Sequence, residues 1–564
     1  MRSSIFKPSV WTKCRLTIII ALAVVTFAIA TFGFVVAETD YFFKVSKSID
    51  IFGRVYKELT LNYVDELDPE RLMRSGIDGI LGSLDPYTTF VGEGEGDDIE
   101  LLATGKYGGI GVTIGVREGY VTITSLMEGY SAQRQAVLVG DRIIEIEGKS
   151  MVGAKPEQVR SLTRGEPGTV VHIKIEREGE PQPLEFALVR EEIKIKNISY
   201  AGFLEGTTDG NGGIVYVRLD RFSRGAGDEL RLVLKDLELQ GKIKGVVLDL
   251  RENPGGLLDA AVEVVEKFVP RQSLIVSTRG RKPDTEKKYF SQEEPFRGNE
   301  PLIVLVNRNS ASASEIVAGA IQDLDRGVVL GTRTFGKGLV QTVTPLIYNT
   351  QLKITTAKYF TPTGRSIQEI DYMHKNRDGV FAVTPDSLRR EFRTVHGRGV
   401  FELGGITPDT VVERPDPGTL YQELIRKSMF FKFATTYVAQ HKELPADEVL
   451  LQDFRRILEE KKFTYQDQGE LKLKELREVA AKANYSGTIM KELEKLSTQL
   501  QEEKAKALDR NKNEILRALK MEIASRLDGE HGRIKASLPA DNQLRVAVKL
   551  LNDSKAYKKL LGKK

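Results

Sequence analysis

The chain has 564 residues, with 83 Lys and Arg against 79 Asp and Glu, for a net charge of +4. At this length three or four domains are expected, and so small a charge gives no case for nucleic-acid binding. Five histidines and one cysteine leave little from which to build a zinc site, and the lone Cys14 cannot form an internal disulfide.

Residues 1–15, MRSSIFKPSVWTKCR, are basic, and Leu16 to Ala37 carry no charge. About 20 apolar residues cross a bilayer as a helix. Segment 16–37 is therefore expected to be a transmembrane anchor, or else a signal peptide with Val35-Val36-Ala37 as its cleavage site. Arg2, Lys7, Lys13 and Arg15 should hold the first 15 residues in the cytosol and send the rest outward. Cys14 precedes the apolar run, whereas a lipoprotein cysteine would follow it. Residues 38–105 show helical spacing in SIDIFGRVYKELTLNYV and LMRSGIDGILGSL, broken at Asp85-Pro86. GEGEGDD, Gly92 to Asp98, fits no EF-hand spacing and reads as a solvated loop.

Residues 106–195 read as a small β-rich module. GGIGVTIG, YVTITSLM, DRIIEIEG, TVVHIKIER and PLEFALVR are short strands between Gly-rich turns, and KPEQVRSLTRG is a short helix. Residues 196–414 alternate strands with helices: IVYVRL, VVLDLR, LIVLVN and VVLG are strands, and helical patterns lie between them. That pattern argues for an α/β core with parallel pairing. QTVTPLI and LKITTAKYFTP add two strands, and 377–398 reads as a polar insertion. Residues 415–564 are rich in Lys, Glu, Leu and Ala and read as amphipathic helices. Their basic end, KAYKKLLGKK, suits anionic lipid or a partner no better than it suits a solvated helix end.

The chemistry concentrates in three short runs. SASASE, Ser310 to Glu315, lies between the strand PLIVLVN and a helix. A capping box from Ser312 to Glu315 would account for it structurally. The same position suits a nucleophile, because the helix dipole and the Ala313 N–H would face a developing oxyanion. RENPGG, Arg251 to Gly256, follows another strand at the same sheet edge and offers unshielded N–H groups. No histidine lies between Ser310 and Gln341 to serve as base. Lysine can replace histidine in serine hydrolases, and TFGKG supplies Lys337 between two glycines. An exposed lysine titrates near 10.4; burial lowers that value and frees the amine. Gln341, four residues on, would share a strand face with Lys337. GTRTFGKG matches a P-loop except that Gly338 replaces the magnesium-binding hydroxyl, and the following residues read as a strand rather than a helix.

Taken together, VNRNSASASEIVAGAIQDLDRGVVLGTRTFGKGLVQTV, VVLDLRENPGGLL, KYFTPTGRSIQ and GGITPD resemble the carboxyl-terminal processing peptidases, or tail-specific proteases, over roughly residues 48–414. The resemblance implies a crotonase-like α/β protease core with an inserted PDZ domain, an N-terminal helical segment and a C-terminal helical extension. It implies a Ser312–Lys337 dyad with Gln341 orienting it. It also implies an oxyanion hole from the backbone of Ala313 and of Gly255 or Gly256. PDZ domains capture a peptide's C-terminal carboxylate in a backbone loop and add its chain as a strand. Here that loop would be GGIG, with Gly109, Ile110 and Gly111 binding and Val112 opening the accepting strand. The implied protein is a serine endopeptidase of the bacterial cell envelope, anchored in the inner membrane with its catalytic domains in the periplasm. It cuts proteins with unstructured C-termini and needs no cofactor, metal or ATP. Its C-terminal helices would serve a homo-oligomer, an adaptor or cover for the site. Tyr87 and Thr88 depart from the His and Ser of many relatives. A catalytically silent PDZ scaffold and a crotonase-like thioester enzyme are the competing readings. The complete Ser312, Lys337 and Gln341 set argues against the first, and the export signal against the second.

Overall fold

The structure, a computed structural model, describes residues 41–93, 101, 104–208, 212–375, 381–383, 385–414 and 416–563. The apolar segment 16–37, Cys14 and residues 94–98 of the acidic loop lie outside them. Among the described residues no helix is long and apolar enough to cross a membrane. The chain divides into two units between Phe90 and Val91.

The first unit is helical over residues 41–62 and again over Pro69–Leu81. Asp68 caps the second helix by accepting from the N–H groups of Glu70 and Arg71. Asp85 stops the chain from continuing as helix: its carboxylate accepts from Tyr87 N and Thr88 N, both at 2.9 Å, and from the Thr88 hydroxyl at 3.0 Å.

The second unit begins with an antiparallel sheet in the order Val112–Arg117, Tyr120–Leu126, Arg142–Ile146, Val170–Glu176, Leu184–Val189. Alternation along the strands buries Val121, Ile123, Ile143, Ile173 and Ile175 in one core with Val159 of the helix Pro156–Thr163. Val112–Arg117 is an edge strand of this sheet.

The next sheet has six strands, ordered Ile198–Phe203, Gly213–Leu219, Ile243–Asp249, Leu302–Val306, Val328–Gly331, Thr410–Val411. The first pair is antiparallel and the rest are parallel. From the second strand on, the order runs with the chain without reversal. Right-handed crossovers therefore place their helices on one face, here Ala226–Gln240, Leu258–Glu266 and Ala313–Asp323. Val215, Val217, Val246, Leu248, Val304 and Val306 point into that layer with Leu230, Val264 and Ile316. Residues of opposite parity, Ile214, Tyr216, Val247, Ile303 and Leu305, point the other way. A sheet of continuous apolar strands needs both faces covered. The second face is covered from the C-terminal region, by Ile534, Leu544, Ala547, Tyr557 and Leu561.

That region therefore has two parts. Met429–Gln440, Asp447–Glu460 and the first half of Lys512–Ser537 form a separate core around Phe430, Phe433, Phe454, Ile515 and Leu519. The long helix kinks at Asp528–Gly529, where Gly529 has φ +58°. Beyond the kink, Ile534 and the helices Asn542–Asn552 and Ser554–Leu560 pack on the sheet. The expectation that the extension serves an oligomer, an adaptor or a cover over the site overlooked this inner layer.

Candidate active site

The turn RENPGG and the loop carrying SASAS both leave the C-terminal ends of neighbouring parallel strands, Ile243–Asp249 and Leu302–Val306, the edge where α/β sheets place their sites. Hydrogen bonds tie them together. Ala311 N donates to Asn253 O at 3.1 Å. The Ser314 hydroxyl donates to the same carbonyl at 2.9 Å, and the Ser310 hydroxyl to Leu250 O at 2.7 Å. The outer two serines of the triplet thus dock the loop on the turn. The middle one, Ser312, has φ +55° and ψ −114°, strained for a residue with a Cβ, at the start of the helix Ala313–Asp323.

Gly255 and Gly256 have φ of +102° and +152°. A Cβ on Gly255 would lie 2.9 Å from both Ser312 Cβ and Ala313 N, so the turn touches the candidate nucleophile directly. A Cβ on Gly256 would lie 2.3 Å from Phe222 O. Gly255 N–H is taken by Asn253 Oδ1 at 2.8 Å.

Lys337, half-buried, lies in the loop between the strands Val328–Gly331 and Leu339–Pro345. Phe335 N donates to Ser310 O at 3.1 Å, which fastens this loop to SASAS. Glu315, fully buried on the helix after Ser312, gathers the rest. Its Oε2 accepts from Ser312 N at 2.8 Å and from Lys337 N at 2.9 Å. Its Oε1 accepts from the Thr334 hydroxyl at 2.6 Å and from Gly336 N at 2.7 Å. The bond from Ser312 N is half of the expected capping box; the other three partners come from the lysine loop. On the carbonyl side, the Tyr359 hydroxyl contacts Lys337 O at 2.6 Å and Ser312 O at 3.0 Å. Sequence reasoning gave Glu315 only a helix cap and passed over Tyr359. The KYFTPTG run that holds Tyr359 was the available signal.

Gln341 sits on Leu339–Pro345 and its side-chain amide donates to Thr355 Oγ1 at 3.1 Å on the facing strand. Lys337 precedes that strand, because Gly336 N and Gly338 N are bound by Glu315 and Gln368 instead of a ladder partner. The expectation that Lys337 and Gln341 share a strand face is thus corrected. A register shift between Val340 and Gln341 separates them further.

In the first sheet domain, Gly109 ends a strand paired to Glu191. The Ile110 side chain is buried in the core, so only its backbone can face a ligand. Gly111 has φ +79°, and a Cβ there would lie 2.5 Å from the Tyr130 Cβ. Val112 opens the edge strand and pairs with Leu126 on its inner side. Among the described residues no three His, Cys, Asp or Glu side chains gather where they could hold a metal ion.

Burial pushes the Glu315 carboxyl up to about 7 even though four donors pull it down. Because the folded value lies above the free value of 4.5, the fold favours the protonated form. This group's contribution to stability is therefore full below 4.5 and shrinks as pH rises toward about 7. The melting temperature of the native chain minus that of Glu315→Gln is expected to fall across that window. A difference that is flat, or that rises, would contradict the assignment.

The profile of Peptidase family S41 matches residues 213–386, that of the PDZ domain residues 99–176, and that of the C-terminal helical domain of a probable PDZ-protease residues 420–551. A carboxy-terminal-processing protease of Bartonella bacilliformis is 36% identical over 374 residues, covering 66% of this chain and 76% of that protein. Carboxy-terminal processing protease CtpB of Bacillus subtilis is 31% identical over 324 residues, covering 57% of this chain and 66% of that one. Among solved structures, the photosystem II D1 C-terminal processing protease is 26% identical with a TM-score of 0.36, over 63% of this chain and 85% of that one. The peptide-bound PDZ domain of the Vibrio cholerae carboxy-terminal protease is 29% identical with a TM-score of 0.15, over 16% of this chain and 99% of that one. An α/β peptidase core preceded by a PDZ domain and followed by a helical region defines a PDZ-bearing peptidase. The chain belongs to the carboxy-terminal-processing proteases of peptidase family S41.

Proposed function

We propose that this chain is a serine endopeptidase that shortens proteins from unstructured C-termini with a Ser312–Lys337 dyad. The observation that carries the reading is that Ser312 N and Lys337 N converge on one carboxylate oxygen, Glu315 Oε2. Residues far apart in sequence are thereby held as neighbours beside the Gly255–Gly256 turn.

The substrate tail enters the PDZ domain, where the N–H groups of Gly109, Ile110 and Gly111 meet its carboxylate and its chain pairs with the edge strand from Val112. Lys337 Nζ, neutral, takes the Ser312 hydroxyl proton as Oγ attacks a peptide carbonyl. The oxyanion is received by Ala313 N–H, one of the unpaired donors at a helix start. Gly256 N–H is the second donor, since Gly255 N–H is held by Asn253. Lys337 then gives its proton to the leaving amine, and water hydrolyses the ester. Gln341 orients the site from the neighbouring strand. Segment 16–37, with its basic flank, anchors the chain in a bacterial membrane and places the peptidase outside the cytosol.

The test mixes the full chain, in detergent, with a folded protein carrying a flexible apolar tail, and reads intact mass. The native chain is expected to shorten the tail and Ser312→Ala to bind it without shortening. Amidation of the tail's carboxylate should weaken capture. Equal cutting by Ser312→Ala would sink the dyad; tail binding with no cutting by the native chain would favour the silent scaffold.

A further inference from the structure

A residue has two backbone handles, its N–H and its C=O. For both Ser312 and Lys337, each handle is held, and by the same two side chains. Glu315 Oε2 takes the two N–H groups at 2.8 and 2.9 Å. The Tyr359 hydroxyl reaches the two carbonyls at 3.0 and 2.6 Å. Glu315 is fully buried and Tyr359 is 1% exposed. They come from different elements, the helix after Ser312 and the strand Gln351–Phe360.

We infer that Glu315 and Tyr359 are a pair of positioning residues that set the approach of Lys337 to Ser312, one through the N–H groups and the other through the carbonyls. The inference rests on the Ser312–Lys337 dyad reading and extends it to how the dyad is assembled. A helix cap alone does not explain the arrangement. A capping box needs one carboxylate oxygen on one N–H, yet Glu315 also collects Thr334, Gly336 and Lys337 from the other loop. Burying a carboxylate away from water is costly unless donors replace the lost hydration, and here all four are contributed by the nucleophile turn and the lysine loop. Tyr359 has a backbone tie as well, its N–H donating to Gly338 O at 3.0 Å, so the strand holds the lysine loop at two points. The hydroxyl has one proton, which the two carbonyls share, and the buried ring keeps both within its reach. Their contacts to Ser312 and Lys337 given above are to backbone N–H and C=O groups, so the pair acts by fixing geometry. A misplacement of about 1 Å at a reacting centre costs about 100-fold in rate.

The experiment compares the full native chain with Tyr359→Phe, Glu315→Gln and Ser312→Ala. It reads kcat and KM on a tailed substrate, the rate at which a fluorophosphonate labels Ser312, and tail affinity. Tyr359→Phe removes one hydroxyl and keeps the buried ring. It is expected to lower kcat and the labelling rate about 10- to 100-fold, with KM and tail affinity within about twofold. Glu315→Gln is expected to lose at least as much, because its NH2 group meets donors. A merely structural role would lower the melting temperature and leave kcat per folded molecule intact. That result, or native kcat in both variants while Ser312→Ala is dead, overturns the clamp and leaves the dyad standing. Cutting by Ser312→Ala instead overturns the dyad and the clamp with it. Should Glu315→Gln fail to fold, Tyr359→Phe decides alone.

Discussion

Lys337→Met is expected to reduce kcat/KM on a tailed substrate by about four orders of magnitude or more, with tail binding and the melting temperature close to native. Methionine keeps the apolar stem of the half-buried side chain, so packing changes little; what disappears is the amine. If Ser312 and Lys337 form the proposed dyad, its loss leaves the Ser312 hydroxyl without a proton acceptor and the departing peptide amine without a donor. Lys337→Arg sharpens the argument. Arginine keeps the positive charge, but its guanidinium does not give up a proton in a protein. If Lys337 acted as a fixed cation near the oxyanion, arginine would preserve much of the rate. If it acts as a base, arginine is as dead as methionine. Intact-mass kinetics on the three proteins separate these outcomes. Residual cutting by Lys337→Met above about 1% of native at neutral pH would mean that another group takes the proton.

The second large effect is on the fold. Arg251→Ala is expected to destabilise the protein by about 3–5 kcal/mol, the usual cost of removing one partner from a buried ion pair. Arg251 begins the RENPGG turn and is 4% exposed. Its guanidinium donates to Asp249 Oδ1 at 2.9 Å, to Asp541 Oδ2 at 2.7 Å and to Gln543 Oε1 at 2.8 Å. Asp249 also accepts from the Tyr216 hydroxyl at 2.6 Å. Burial alone would raise the Asp249 carboxyl; Arg251, with Arg218 and the Tyr216 hydroxyl, outweighs it and together they hold the group below the ordinary range. Deleting the guanidinium removes the ion-pair partner of two buried carboxylates. Because Arg251 is two residues from Asn253, which shapes the glycine turn through Gly255 N, activity per folded molecule should fall as well. Denaturant melts of Arg251→Ala and Asp541→Ala measure the first effect; a loss below about 1 kcal/mol in both would show that the network is not sealed from water.

The candidate site is legible in the sequence where chemistry leaves a local mark. Ser312 and Lys337 stand in short runs of small residues whose purpose is hard to explain otherwise, and the NPGG turn announces close backbone approach. Glu315 was half legible: a carboxylate three residues after a serine fits a helix cap, and its remaining partners belong to a loop that local spacing cannot bring near. Tyr359 stands in the KYFTPTG run, but that run gives no hint of its role, which depends on two carbonyls from elsewhere in the chain. The strand-face argument for Gln341 failed because side-chain bonds hold the lysine loop out of the ladder. For the fold, alternation identified the parallel strands. The same runs carried a further implication: LIVLV, buried throughout, requires cover on two faces, and an unreversed strand order puts the crossover helices on only one. The missing layer had to come from the helices beyond residue 415, although nothing in their composition names the sheet as partner.

Tyr557 makes the dependence concrete. Its hydroxyl donates to Leu302 O at 3.0 Å and accepts from Leu302 N at 2.9 Å, across a separation of 255 residues. During synthesis the peptidase strands emerge long before this partner exists, with one apolar face bare. Contacts of such sequence separation form late, so the sheet is finished, and the RENPGG turn locked by Asp541, only after the helical region has emerged. A chain that completes its sheet last is expected to become active only once its helical region has been made.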